Sequence, residues 1–461
     1  DEFGVKGFGA AGSAHGGQGA LERTAGDVNV NDGDGGERNI GRRWFTLECA
    51  FPLVWCCPMS VATPALVLPV GFRVSVAPMM DWTDRHCRSF HRLLSRRAWL
   101  YTEMVTAQAI AHGDLDHLLG RGEEGDRVVL QLGGNDPQLL ARAAREGQAY
   151  GYDEINLNCG CPSDRVREGA FGACLMAEPE RVADCVAAMQ AVVQVPVTVK
   201  HRIGIDRRED YEFVHHFVDV VAAAGCRRFV VHARNAWLDG LDPKQNREIP
   251  PLRYEVVHRL AQDFPHCAFE LNGGLQDLAH GLAAVCPTEA SGLDSGTASE
   301  ASSQALAAAS EGSGAALEGL AVREAATPVE AGRPATRLVG AMYGRRAYHD
   351  PWLLAGVDDW LARHAAEAPV TDAAQPLTRA AVVEALVGYL ERGAAHGVEV
   401  RHLARHVLGL YLGQPAARLW RRMLSESRAL SRNDPGLLRE ACAAVEAEAA
   451  RVAVSALSGG R

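Results

Sequence analysis

The residue in this chain best placed to do chemistry is Cys161. It lies in the segment INLNCGCP, residues 155–162, so a thiol stands on a glycine- and proline-bearing turn at the carboxyl end of a short apolar strand. Ordinary thiols are mostly protonated near neutrality yet acidic enough to serve as general acids. Six other apolar runs end in a similar isolated tip. Residues 74–79 lead to Pro78, Met79 and Met80; residues 128–134 carry Gln131; residues 197–202 carry Lys200. Residues 229–234 carry His232, residues 269–274 end in Asn272, Gly273 and Gly274, and residues 339–345 end in Gly344 and Arg345. Taken singly, each has a bland reading: Cys161 as a small buried hydrophobe, Lys200 as a solvated strand end, His232 as a core histidine. The repetition at strand tips argues for one shared site.

Such repetition requires particular elements. Apolar stretches of four to eight residues alternating with helix-period segments are the mark of βα units. Eight strands are expected near residues 74–78, 100–104, 127–133, 154–158, 196–201, 228–233, 268–273 and 338–343. Helices are expected between most of them, for example over 137–150, 179–193 and 211–224. The fold class is therefore α/β, a (β/α)8 TIM barrel, whose chemistry gathers at the carboxyl ends of the strands. In such barrels the loops after strands seven and eight bind phosphate through bare backbone N–H groups, which suits Asn272-Gly273-Gly274 and Gly344-Arg345. Gln131 offers a donor and an acceptor to a pyrimidine edge, and Lys200 offers positive charge beside a ring that becomes anionic on reduction. His232 can hydrogen-bond the cofactor or the substrate. This set points to a phosphate-bearing flavin. Cys174, between Ala173 and Leu175, reads as a packing residue.

At 461 residues the chain has room for a barrel of about 250 residues and a smaller partner. Its twelve cysteines lack paired metal spacing, so neither a disulfide framework nor a metal is expected, and the compartment reads as reducing. The formal charge of -10 argues against nucleic acid only until its distribution is considered. Residues 1–43 and 283–335 carry much of the acidic excess, whereas residues 396–435 hold seven arginines against three acids.

Residues 1–72 read as a disordered or targeting-like extension, and the absence of a starting methionine fits a truncated precursor. The apolar stretch within it is broken by Pro52, Pro58, Pro64 and Pro69, so no membrane span is expected. The barrel occupies 73–285 and resumes at 337–357. Between them residues 286–336, rich in Ala, Ser, Gly and Glu, read as a disordered, non-catalytic insertion. A linker at 358–376 precedes a helical bundle at 377–453, and residues 454–461 read as a disordered tail. The bundle's helices are expected at 377–392, 401–411, 415–428 and 435–452.

Several segments strongly resemble the tRNA-dihydrouridine synthases, in particular their A-type branch. They are VAPMMDWTDRHCRSF, LYTEMVTAQAI, QLGGNDP, YDEINLNCGCPSDRV, GAFGACLM, TVKHRIGID, HARNAWLDGLDPKQNREIPPL and LNGG, continued by YGRRAYHDPWLLAGVD and RHLARHVLGLYLGQPAARLWRRMLSE. The resemblance covers roughly residues 73–285 and 337–452. It implies an FMN barrel joined to a helical tRNA-binding domain, reducing a D-loop uridine at or next to position 20 with NADPH as reductant. It also implies hydride delivery from flavin to uracil C6 and proton delivery from Cys161 to C5. By the same correspondence Asn158 seats the base, and Lys244, Arg247, Arg418 and Arg421 contact tRNA. The chain departs from the family pattern at Cys159, a second thiol beside the proposed acid, and at Tyr343, where a small aliphatic residue is usual.

A monomer in the cytoplasm or an organelle is expected. Two alternatives stay open: a flavin barrel acting on free pyrimidines, which has no need of residues 377–452, and a non-catalytic tRNA-binding factor.

Overall fold

The computed structural model describes residues 68–69, 71–286, 338–364 and 376–458. The expectations for the amino-terminal extension and the 286–336 insertion lie almost wholly outside those residues. Eight parallel strands close into a barrel in sequence order. They are β1 (Arg73–Val76), β2 (Trp99–Thr106), β3 (Val128–Gly133), β4 (Glu154–Cys159), β5 (Val197–Arg202), β6 (Arg228–His232), β7 (Ala268–Asn272) and β8 (Gly340–Tyr343). Closure is made by β8 against β1, with Arg73 opposite Gly340 and Val76 opposite Tyr343. Gly340 is required there, because a Cβ would lie 2.7 Å from Glu270 Cγ and 3.0 Å from the Arg73 carbonyl oxygen.

The helices start where short polar side chains cap them. Asp84, Thr106, Asp136, Asp210 and Asp277 each accept from backbone N–H groups of a helical first turn, and Pro137 and Pro179 occupy first-turn positions where no N–H is needed. Outward strand residues such as Leu130, Ile155, Val199 and Leu271 are fully buried against these helices. Burying each such side chain contributes about 1.5–3 kcal/mol.

The interior of the barrel is only partly apolar. Tyr101, Val129, Val230 and Met342 pack together, but Glu154 and Glu270 stand beside them without exposure. Arg73 pairs with Glu154 at 2.6 Å and Arg228 with Glu270 at 2.9 Å. Strands read as apolar runs with polar tips are therefore polar along the inward face of β4, through Glu154, Asn156 and Asn158.

The segment expected to begin as a linker at 358 carries helix Val357–His364, because Val357, Trp360 and Leu361 form a buried stripe at helical spacing. Beyond it, helices Arg379–Gly393, Val400–Val407, Ala417–Met423, Ser427–Leu430 and Gly436–Ser458 form the carboxyl-terminal bundle. The last runs to Ser458, past the point where a disordered tail was expected, through an Ala-rich stretch of high helix propensity. Among the described residues no helix is long and apolar enough to cross a membrane, and no cluster of His, Cys, Asp and Glu could hold a metal.

The bundle docks on helix Arg85–Leu94. His86 Nδ1 lies 2.7 Å from the Tyr389 hydroxyl, and Arg392 pairs with Glu123 at 2.7 Å. Asp84 meets both Arg405 and His406.

Candidate active site

A cavity of about 870 Å³ opens over the carboxyl ends of the strands. Every residue expected from the strand tips lines it: Pro78, Met79, Met80, Gln131, Cys161, Lys200, His232, Asn272, Gly273, Gly274, Gly344 and Arg345, together with Asn158 and Arg247. The cause is barrel geometry, since parallel strands deliver all their carboxyl ends to one rim. Lys244 is exposed in the same loop as Arg247 but does not line the cavity. Arg418 and Arg421 also lie outside it. They are exposed on helix Ala417–Met423 and make no ion pair among the described residues.

Cys161 is held by its backbone. Asn158 Oδ1 accepts from the N–H groups of Gly160 and Cys161, at 3.0 Å each, which fixes the turn that follows β4. Cys161 Sγ then lies 3.4 Å from the Ser163 hydroxyl, and both line the cavity. Cys159 is not a second thiol at the site. Alternation along β4 places it fully buried on the outward face, and burial pushes its thiol well above the ordinary range. Tyr343 likewise faces away, its hydroxyl donating to the Asp277 carbonyl at 3.1 Å.

The adjoining wall is lined by basic side chains. Lys200 and Arg202 both line the cavity, being two apart on β5. Burial, reinforced by the neighbouring Arg202, pushes the Lys200 ammonium down to about 7. His232 is held well below the usual imidazole range, first by burial and then by Arg202 and Lys200, so it is neutral near pH 7. Its Nδ1 is buried without a hydrogen-bond partner among the described residues. Arg345 pairs with Glu248 at 2.7 Å at the rim.

Arg202 and Arg234, two of the arginines that line the cavity, were not anticipated. Arg202 donates to the carbonyls of Gly160 (3.2 Å), Asn235 (3.1 Å) and Asn246 (3.0 Å), joining the Cys161 loop to the loop after β6. Arg234 has a buried Nε without a partner among the described residues. Each stands two positions after an expected site residue, Lys200 or His232, so period-2 alternation was the signal that could have found them. Trp82 also lines the cavity and stacks on Tyr348, with ring centroids 4.4 Å apart. The site therefore sets the Cys161 sulfur beside basic, hydrogen-bonding groups from the adjoining strand β5 and the loop after β6.

The sequence matches the profile of the family described as dihydrouridine synthase over residues 75–310 and 330–449. Among curated relatives, a tRNA-dihydrouridine(20/20a) synthase of Synechocystis is 47% identical over 368 residues, 80% of this chain and 93% of the relative. The enzyme of the same name from Salmonella typhimurium is 45% identical over 384 residues, 83% of this chain and 98% of the relative. With the barrel, the Cys161 loop and this match in agreement, the chain belongs to the dihydrouridine synthase family.

Proposed function

We infer that this chain reduces uridine to 5,6-dihydrouridine in tRNA, at the 20/20a positions named for its relatives. FMN is the bound cofactor and NADPH the reductant in this reading. The observation that carries it is Cys161 on the rim of a cavity walled by Lys200, His232 and Gln131, in a chain similar to these synthases along most of its length.

The cavity fits a flavin phosphate. Its volume of about 870 Å³ is in the range of cofactor sites. Gly273 and Gly274, at φ +120° and +68°, bring bare backbone to its edge, and next to them stand the unpartnered Arg234 Nε and His232 Nδ1. These groups and Arg345 would hold the phosphate side, while Gln131 and Lys200 would hold the pyrimidine edge of the ring. When bound, the flavin supplies hydride to the uracil ring.

The protein's own residues supply the rest. Cys161 holds a proton on Sγ and gives it to the uracil carbon C5. Ser163 Oγ, 3.4 Å away, is placed to steady the sulfur that remains. Asn158 fixes the loop and offers its amide to the base. A uridine must leave its stack to reach this rim, and the unstacking costs a few kcal/mol that phosphate contacts elsewhere must offset. Arg247 at the rim, Lys244 beyond it, and Arg418 and Arg421 on the bundle are the cations that would grip tRNA. That bundle favours tRNA over a free pyrimidine as substrate.

The test is incubation of FMN-loaded protein with NADPH and unmodified tRNA. Dihydrouridine should form with the wild type and be lost in Cys161→Ala, with folding and flavin content retained. Wild-type protein that oxidises NADPH yet leaves tRNA unmodified would refute the reading.

A further inference from the structure

A single file of buried hydrogen bonds runs up the barrel from its floor to the Cys161 loop. At the floor, Glu154 pairs with Arg73 at 2.6 Å and accepts from the Thr198 hydroxyl at 2.7 Å. Thr198 Oγ1 accepts from Asn156 Nδ2 at 2.9 Å, and Asn156 Oδ1 from Gln131 Nε2 at 2.8 Å. Gln131 Oε1 then accepts from Asn158 Nδ2 at 2.9 Å, and Asn158 Oδ1 from the N–H groups of Gly160 and Cys161. None of these five side chains belongs to a residue more than 8% exposed.

The direction of every link is dictated by the two ends. The backbone N–H groups can only donate and the carboxylate can only accept, so each amide between them has one orientation that satisfies all partners. Turning any one of them would set donor against donor or acceptor against acceptor in a buried place. Register makes the file possible, since Gln131 is opposite Asn156, Asn156 opposite Thr198 and Asn158 opposite Lys200 across β3, β4 and β5.

We propose that Glu154 is a positioning residue which, through Thr198 and Asn156, sets the amide orientation of Gln131 and Asn158 and so decides which donors and acceptors the cavity offers to a flavin ring and a uracil base. This rests on the reading of the cavity as a flavin site. Glu154 touches neither ring. It acts by making one of the two orientations of Gln131 the only satisfied one, so that the donor–acceptor order along the cavity floor is already in place when a ring arrives. A misordered edge binds the ring less well and discriminates differently between its oxidised and reduced forms, whose pyrimidine edges differ in charge.

The test replaces Thr198 by Val, which keeps the shape and removes the hydroxyl, and by Ser, which restores it. In Thr198→Val, apoprotein affinity for FMN should fall about tenfold, the cost of roughly one buried hydrogen bond. A tenfold change in relative affinity for the two redox states would move the two-electron midpoint potential by about 30 mV. The kcat for dihydrouridine formation should fall while KM for tRNA stays within about twofold, and Thr198→Ser should recover all three readouts. Should Thr198→Val not fold, the paired change Arg73→Met with Glu154→Leu removes the buried charges together and carries the same expectation. A folded lesion with wild-type FMN affinity, potential and kcat, or a loss that serine does not recover, overturns the proposal. The comparison of FMN affinity and potential decides it even if the wild type leaves tRNA unmodified, a result that would overturn only the functional reading.

Discussion

Replacing Asp84 should loosen the seam between barrel and bundle by an amount the structure lets us calculate. Its carboxylate does three things. It caps helix Arg85–Leu94, accepting from the N–H groups of His86 (3.0 Å) and Cys87 (2.9 Å). It meets Nε2 of His406 at 3.0 Å, a side chain with no exposure, and it pairs with the half-exposed Arg405. Loss of the cap costs about 1 kcal/mol. Losing the buried contact with His406 costs about 1–3 kcal/mol, and the Arg405 pair adds less than about 1 kcal/mol. Asp84→Ala should therefore cost about 3 kcal/mol, whereas Asp84→Asn, which keeps a capping oxygen, should lose only the charged part. The effect reaches the cavity, because the Tyr348 hydroxyl lies 3.2 Å from His406 Nδ1 and its ring stacks on Trp82.

The pH dependence has a definite sign. Burial alone would raise the Asp84 carboxyl, but the hydrogen bond and charge of His406 override it and hold the group well below the usual carboxylate range. A depressed carboxyl contributes stability above its unfolded value, near 4, and loses it as pH falls further. Urea unfolding at pH 7 and through the range below about 4 measures both effects. Asp84→Ala within about 0.5 kcal/mol of wild type at pH 7, or Asp84→Asn with the same acid loss as wild type, would refute the reasoning.

Other expectations follow from the same structure. Between about pH 7 and 10 Lys200, its ammonium brought down to about 7, is largely neutral in the folded protein while still protonated in the unfolded chain. Apoprotein stability should thus rise with pH from about 7 towards 10, at up to about 1.4 kcal/mol per unit, and urea midpoints of Lys200→Met should lack that rise. Gly340→Ala should destabilise by about 2 kcal/mol or more, since the new methyl meets Glu270 Cγ at 2.7 Å and backbone at 3.0 Å; calorimetry against wild type would check it. Arg418→Ala and Arg421→Ala should each weaken tRNA binding and flatten its logarithmic salt dependence by roughly 0.7–0.9, and an unchanged slope in the double variant would remove those residues from the tRNA contact.

The strand tips were legible in the sequence because barrel geometry is local and repetitive. A period-2 run followed by a helix-period segment delivers its last inward residue to the common rim, so Gln131, Asn158, Cys161, Lys200 and His232 could be named before any fold was seen. Alternation could have extended the same rule to Arg202 and Arg234.

What the sequence could not decide was which buried face is which. Both faces of a parallel strand are covered, so Cys159 and Asn158 look alike until the sheet curls and sends one under the helices and the other into the barrel. Only the closed sheet brings Arg73 to Glu154 across 81 positions, turns Glu154, Asn156 and Asn158 into one polar file, and sets Asp84 against His406, 322 residues away. Pairing over such separations depends on strand register and domain docking, which no local pattern encodes. The sequence by itself determined the chemistry at the rim, and tertiary structure decided how that chemistry is held.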